Sequence, residues 1–431
     1  MTSDTIASSR VFLFLQGPHG PFFYQLGKQL RQAGAKVWRI GFNAGDRAFW
    51  PGRQSYLPYR APQEDWLPFL QKHLADKGVT DLVLYGDTRW MHASAVTEAK
   101  ARDIRVHVFE EGYLRPYWVS YELGGSNGHS ALMDMPLSAM RDARAEADPD
   151  PPLPPSHWGD MRQHIFYGAL YHWFVMFWNQ RYKQFQPHRA LHVRQEFALY
   201  IRRLLFMPFQ ALERIVATYR LRSGSFPYHL ALLQLEHDSA FQMHAPFASQ
   251  AEFLELIISQ FAAGAPAHHH LVFKAHPLED GRAPLRRDIR RFAQQHGIAD
   301  RVHYLRGGKL AGILSEARSA VTVNSTAGQQ VLWRGIPLRT FGAAVYGKPE
   351  LVSHQPLDAF FANPTRSDME AYRDFRQFLL ETSQLPGSFY ASRGRIQLLR
   401  QVVDLMLEGR DPYEIPRRKT ATIAQQFRVV K

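Results

Sequence analysis

Short apolar runs that stop at glycine, proline or a charged residue, each followed by a segment with helical spacing, recur along this sequence. Val11 to Leu15 runs into Gln16-Gly17-Pro18, and Phe22 to Gln32 spaces its apolar residues as a helix that closes at Gly34. Lys36 to Ile40 and Leu82 to Tyr85 read as further strands, the latter ending at Gly86-Asp87. Val106 to Phe109 is another, ending abruptly in Glu110-Glu111-Gly112. Strands apolar on both faces, alternating with helices, require a parallel sheet covered on each side.

The same rhythm resumes near Tyr228. Strands are expected at His229–Leu235, Leu271–Phe273, Val302–Leu305 and Ala320–Val323, with helices at Glu252–Phe261, Asp288–His296, Leu310–Glu316 and Ala327–Trp333. A proline-rich break, Pro149 to Pro155, separates the two halves. After it, His157 to about Leu221 reads as helical, aromatic and basic, with Phe166, Tyr167, Tyr171, Trp173, Phe174, Phe177 and Trp178 preceding Arg181, Lys183, Arg189, Arg194, Arg202 and Arg203. Met369 to Leu407 reads as a helical tail that returns to the first half. The expected architecture is α/β: Rossmann-like domains at 1–150 and 225–370, a helical insertion at 151–224 and a helical return at 371–431. Two doubly wound domains with a cleft between them describe the GT-B glycosyltransferase class.

At 431 residues the chain is long enough for two cores. It contains no cysteine, which excludes disulfides and thiolate metal sites. Its 20 histidines lack convincing metal-ligand spacing, and His268-His269-His270 reads as a solvent loop before a strand. No metal is expected. Met1 to Ser9 lacks the basic start and apolar core of a secretory leader. Ile165 to Trp178 is shorter than the roughly 20 residues of a membrane span and contains His172. A cytoplasmic protein is therefore expected. The net charge of +13 calls for an anionic partner. Because the charge is spread through the chain rather than gathered in a tail, nucleic acid is not the expected one.

Chemistry in such sheets gathers beyond the carboxyl ends of the strands. Four segments stand there. Glu110-Glu111 offers two carboxylates, one able to act as base or nucleophile, with Arg115 as a basic partner. Lys274-Ala275-His276-Pro277 presents an imidazole at a strand end, because Pro277 holds His276 extended. Asn324-Ser325-Thr326 brings small hydroxyl groups to a strand-to-helix junction, which suits a phosphate as well as a simple helix cap. Gln16-Gly17-Pro18-His19-Gly20 allows close approach of a ligand to the backbone. It lacks the dinucleotide fingerprint and the P-loop lysine.

Taken together, these segments resemble the capsule polysaccharide biosynthesis and export family of Gram-negative bacteria, in its shorter, single-module β-Kdo transferase form. The resemblance rests on Phe14-Leu-Gln-Gly-Pro-His-Gly-Pro-Phe-Phe23, Gly41-Phe-Asn-Ala-Gly-Asp-Arg47 with Phe49-Trp50, and Phe109-Glu-Glu-Gly-Tyr-Leu-Arg-Pro116. Lys274 to Pro277 and Val323 to Gln329, continuing through Arg334-Gly-Ile-Pro337, complete it. It implies a GT-B enzyme peripheral to the inner membrane. Such an enzyme moves Kdo from CMP-Kdo to lyso-phosphatidylglycerol, with retention, and so starts the poly-Kdo linker of the capsule. By the same resemblance the first domain is the acceptor side and the second binds the CMP-sugar.

The implied catalytic group is Glu111, supported by Glu110 and His276. Lys274, His276, Pro277, Asn324, Ser325, Thr326, Gln16, Gly17 and Arg115 are the implied donor contacts, with Arg47 and Asn127 as further contacts to anionic groups. The donor is a substrate; no cofactor is implied. Implied partners include a second Kdo transferase and the capsule export complex, and the 157–221 segment is expected to meet anionic lipid. Two other readings are a transferase of another activated donor, such as a CDP-polyol phosphotransferase, and a non-catalytic scaffold of the export complex.

Overall fold

Val11–Phe14 (β1) is apolar at every position, so both of its faces must be covered, and all four residues are buried. Side chains alternate along a strand. Phe12 and Phe14 pack into one core with Phe22, Phe23 and Leu26 of Phe22–Gln32 (α1) and Leu398 and Val402 of Ser392–Glu408 (α7). Val11, Leu13 and Leu15 pack into a second core with Leu70 and Leu74 of Trp66–Lys77 (α2) and Met91 and Ala95 of Trp90–Lys100 (α3). Alternation on one short strand thus builds both layers.

The computed structural model describes residues 9–143, 161–186 and 206–414, apart from positions 207, 208, 210, 211, 214, 222, 278, 280 and 307. The proline-rich break and the basic residues Arg189, Arg194, Arg202 and Arg203 lie outside the described residues. The chain forms two compact units. One comprises Met1–Ala131, Ala139–Arg194 and Gln377–Lys431, the other Leu132–Ser138 and Gln195–Arg376.

The first unit is built on a seven-stranded sheet. Its strands are β1, Lys36–Gly41 (β2), Tyr56–Pro58 (β3), Asp81–Tyr85 (β4), Arg105–Glu111 (β5), Trp118–Leu123 (β6) and Gln384–Pro386 (β12), in the order β12-β6-β5-β4-β1-β2-β3. β1 to β5 are parallel neighbours, and chain order reverses between β1 and β4. β6 is antiparallel to both β5 and β12. The sequence indicates neither β6 nor β12, and the tail expected as continuous helix is interrupted at β12 before α7. Beyond Phe109, β5 continues through both glutamates, because β6 pairs with them: Glu110 lies opposite Ser120 and Glu111 opposite Val119. Gly112 follows because a Cβ there would strike the Trp118 carbonyl.

At the opposite end of this sheet the carboxylate of Asp81, fully buried, is shared by four donors. Arg10 grips it with Nε at 2.6 Å and with a closer Nη2 contact, Thr80 Oγ1 donates at 2.6 Å, His107 Nε2 lies at 2.9 Å and Arg105 Nε at 3.1 Å. Burial alone would raise the carboxyl, but hydrogen bonds from His107 and Arg10 outweigh it and hold it low. Arg10 also caps the last turn of α7 through the carbonyls of Met406 and Leu407, at 3.0 and 2.9 Å.

The second unit has five parallel strands in the order β11-β10-β7-β8-β9. They are Tyr228–Leu232 (β7), His270–Lys274 (β8), Val302–Leu305 (β9), Ala317–Thr322 (β10) and Leu338–Thr340 (β11), with the reversal between β7 and β10. Gln250–Gly264 (α5) and Leu285–Gln295 (α6) bury Phe253, Ile257, Phe261, Ile289 and Phe292 against it. Here one reading of the sequence is corrected. His268-His269-His270 is not a solvent loop. His269 is buried and bonded to His229 Nε2 at 3.0 Å, while His270 begins β8 and bonds His303 at 2.8 Å. Burial in this layer lowers the imidazoles of His229, His269, His270 and His303, keeping them neutral.

Candidate active site

In the first unit the carboxyl ends of β1, β4 and β5 gather Gln16, Gly86, Arg89, Glu110 and Glu111. The pleat sends the two glutamates to opposite faces. Glu111 lies on the face of Phe109, where Tyr85 Oη donates to its Oε1 at 3.5 Å. Tyr390, from the segment before α7, lies beside Tyr85, and the charges of both carboxylates act on its hydroxyl. Glu110 lies on the other face, and its Oε1 accepts from the Glu111 backbone N–H at 3.1 Å. Gly86, at φ 64°, must be glycine here: a Cβ would come within 2.9 Å of Glu110 Oε2.

Burial pushes the Glu110 carboxyl up to about 7, and the neighbouring Glu111 charge adds to the rise. The Glu111 N–H, Arg115 and Arg89 offset part of it. A carboxyl that titrates near neutrality can take or give a proton under physiological conditions.

Gln16 is buried and its amide is fully engaged. Its Oε1 accepts from Arg89 Nη1 at 2.7 Å, and its Nε2 donates to Tyr171 Oη at 2.9 Å and reaches Asp46 at 3.4 Å. Tyr171 belongs to Met161–Phe177 (α4), and it also accepts from Asn43 at 2.7 Å. Gly17 is packed so closely on the Phe23 ring that a Cβ would collide with it. Arg115 is exposed, with Nε donating to the Gly112 carbonyl at 3.3 Å. Arg47 is spent on the Trp50 carbonyl and on the face of Tyr56, 5.2 Å from its centroid. Asn127 takes a left-handed backbone, φ 53°, and donates its N–H to Tyr113 Oη at 2.7 Å.

In the second unit Lys274 closes β8, buried, and burial lowers its ammonium. Half-buried His276 and exposed Pro277 follow directly. At the end of β10, Asn324 is buried and tied down: it exchanges two hydrogen bonds with Gln234, at 2.7 and 3.0 Å, and donates to the Ala240 carbonyl at 2.7 Å. Ser325 and Thr326 are half-buried. Ser325 Oγ accepts from the Ala327 N–H at 3.2 Å, and the Ser325 carbonyl accepts from Tyr346 Oη. The helix that follows is short, Gly328–Leu332.

The sequence reading passed over Tyr85, Arg89, Tyr390 and Gln234. Arg89 had a signal, since it follows a recognised strand at the carboxyl edge, whereas Gln234 falls inside the strand expected at His229–Leu235. Tyr390 had none, since only the fold brings it to Tyr85. Among the described residues no cluster of three or more His, Asp or Glu side chains is arranged to hold a metal ion.

Residues 80–390 match the family described as capsule polysaccharide biosynthesis protein. The chain is 31% identical over 404 residues to the capsule polysaccharide modification protein LipB of Neisseria meningitidis serogroup B, covering 90% of this chain and 93% of that one. This chain belongs to the capsule polysaccharide biosynthesis family. The capsule polysaccharide export protein KpsS of Escherichia coli is 28% identical over 397 residues, covering 89% of this chain and 98% of the relative. Among solved structures, Thermosulfurimonas dismutans KpsC, a β-Kdo 2,7-transferase, aligns at a TM-score of 0.45 and 12% identity, over 92% of this chain and 100% of that one.

Proposed function

We propose that this family member is a retaining β-Kdo transferase that moves Kdo from CMP-Kdo to lyso-phosphatidylglycerol, beginning the poly-Kdo linker on which capsular polysaccharide is carried. The observation that carries the reading is the Glu110–Glu111 pair: adjacent carboxyls on opposite faces of one strand end, one of them raised to about 7 by burial. Neighbouring acids in different environments divide into different roles.

The Glu111 carboxylate attacks the anomeric carbon of Kdo as the bond to the CMP phosphate breaks, and CMP leaves with the electron pair. The acceptor hydroxyl then attacks the same carbon from the opposite side. Its proton passes to the Glu110 carboxylate, and the bond to Glu111 breaks. Two inversions give retention. Lys274 and His276, the latter kept extended by Pro277, hold the CMP phosphate with Ser325 and Thr326, and Asn324, locked by Gln234, positions Ser325. Gln16 and Gly17 shape the sugar end rather than the phosphate end, and Arg115 screens the glutamates.

The acceptor is a lipid, and α4 supports a peripheral membrane location. Ile165, Phe166, Trp173, Phe177 and Trp178 are exposed on or beside it, and Arg181 and Lys183 follow closely in sequence. Such aromatics with flanking cations favour the lipid–water boundary. No helix among the described residues is long and apolar enough to cross a membrane.

The deciding experiment incubates the protein with CMP-Kdo and lyso-phosphatidylglycerol and weighs the lipid. A mass gain of one Kdo or more is expected. Transfer from CDP-glycerol instead, or from no activated donor while export proteins still bind, overturns the proposal in favour of the two other readings.

A further inference from the structure

Arg89 is the cation that the proposed chemistry requires but that the sequence reading does not supply. It stands at the N-terminus of α3, where the order of the first sheet reverses between β1 and β4, the position at which doubly wound sheets take their ligands. Its guanidinium carries five donors. One of them, Nη1, is fixed by Gln16 Oε1 at 2.7 Å, and the group lies 5.5 Å from the Tyr85 ring centroid. Among the described residues it forms no salt bridge. The two carboxylates whose fields reach it form no ion pair with it: Asp46 is paired with Arg39 at 3.0 Å, and Glu110 Oε1 accepts from the Glu111 N–H. The side chain is therefore aimed and held while its charge stays uncommitted.

The sugar proposed as substrate makes this charge necessary. Kdo is a 2-keto sugar acid, so its carboxylate is bonded directly to the anomeric carbon. Any carboxylate that attacks this carbon must approach a second negative charge only two bonds away, with the other glutamate alongside. Like charges so close are strongly repulsive in a partly dry site. A planar guanidinium fork matches a carboxylate with two parallel hydrogen bonds and neutralises it. Arg115, the other cation near Glu110, is exposed and its Nε already donates to the Gly112 carbonyl.

We infer that Arg89 binds the carboxylate on the anomeric carbon of the transferred sugar, selecting a sugar acid over a neutral sugar and offsetting its repulsion with the glutamates. The inference rests on the transferase reading above and adds a specificity residue to it.

The test is a cycle of two changes, one on the protein and one on the donor. Binding of CMP-Kdo and of its methyl ester, which lacks the carboxylate charge, is measured by calorimetry in Glu111→Gln, where turnover does not intervene, and in Glu111→Gln combined with Arg89→Gln. The first protein is expected to prefer the acid by about 30-fold or more, the usual consequence of removing one partner of a buried charge pair. In the second the preference should fall to about one, while affinity for CMP alone is unchanged. Arg89→Lys, which keeps the charge but not the fork, should lie between, and it replaces Arg89→Gln if that variant does not melt cooperatively.

An acid-to-ester ratio unaffected by Arg89→Gln, or by Arg89→Lys in its place, overturns the inference and leaves Arg89 a structural partner of Gln16. Failure of the wild type to transfer Kdo at all is a different result. It removes the transferase reading itself.

Discussion

Glu110 and Glu111 are neighbours in sequence with different surroundings, and the difference is open to titration. In the proposed mechanism Glu110 must be deprotonated to take the acceptor's proton, and burial holds its carboxyl near 7. The rate of transfer under limiting substrate is thus expected to fall about tenfold per pH unit below 7 and to level off above it. Glu110→Gln should lower the rate by roughly 100-fold or more and abolish that limb of the profile. Glu111→Gln should remove transfer almost entirely yet leave donor binding in place, as calorimetry with CMP-Kdo would read. A Glu110→Gln enzyme with the wild-type profile would assign the proton transfer elsewhere. At this scale the sequence was a partial guide. The glutamates, Lys274, His276 and Ser325 are visible because each interrupts or closes an apolar run. Tyr390 and Gln234 are not, since their meaning depends on contacts made across long stretches of chain.

Strands and helices carry predictions of a different kind. The Asp81 cluster joins β4, β5, the residue before β1 and the end of α7, so its loss should be felt as stability and not as altered specificity. Asp81→Asn leaves Arg10 and His107 buried beside a neutral amide, a change expected to cost about 3–5 kcal/mol in urea unfolding. The pH dependence has a defined sign. The Asp81 carboxyl is held low in the fold, and the His107 imidazole is lowered by burial. Both groups bind protons more readily in the unfolded chain, so both contribute stability that is complete at neutral pH and lost as pH falls. The loss begins below about 6.5 with His107 and deepens below about 4 with Asp81. Asp81→Asn should flatten the lower part of that curve.

On α4 and just beyond its end, alanine at Trp173, Phe177 and Trp178 should weaken binding to anionic vesicles by about tenfold or more in a sedimentation assay, with transfer to a detergent-dispersed acceptor retained. Unchanged sedimentation would count against the lipid-facing role. The central parallel strands of both sheets were legible, because buried strands read as continuous apolar runs, while the three-residue parallel strands β3 and β11 and the helices α2 and α3 were not read. β6, with Ser120 and Glu122 among its buried residues, and β12, three residues long, had no such pattern.

The whole molecule is two sheets of the same winding, each with order 3-2-1-4-5 about its own reversal point if antiparallel additions are set aside. The proposed chemistry draws on each unit separately: acids and Arg89 in one, a lysine, a histidine and hydroxyls in the other. His276→Ala or Ser325→Ala should therefore weaken CMP binding by roughly tenfold while leaving the Glu110 titration where it is. Joint loss of both properties would contradict the division. The two-sheet class could be read from periodicity, whereas the expected return of the tail to the first half is a matter of packing, because helical spacing does not say which sheet a helix covers; residues 377–414 belong to the first unit.

At each reversal point a glutamine two residues past the central strand ties down the neighbour across the gap: Gln16 holds Arg89, and Gln234 holds Asn324. A carboxamide has no proton to lose or gain in the range where enzymes work. Titration of Glu110 near 7 therefore leaves the hydrogen-bonding groups of both ties unchanged, the Gln16–Arg89 tie in its own unit and the Gln234–Asn324 tie in the other.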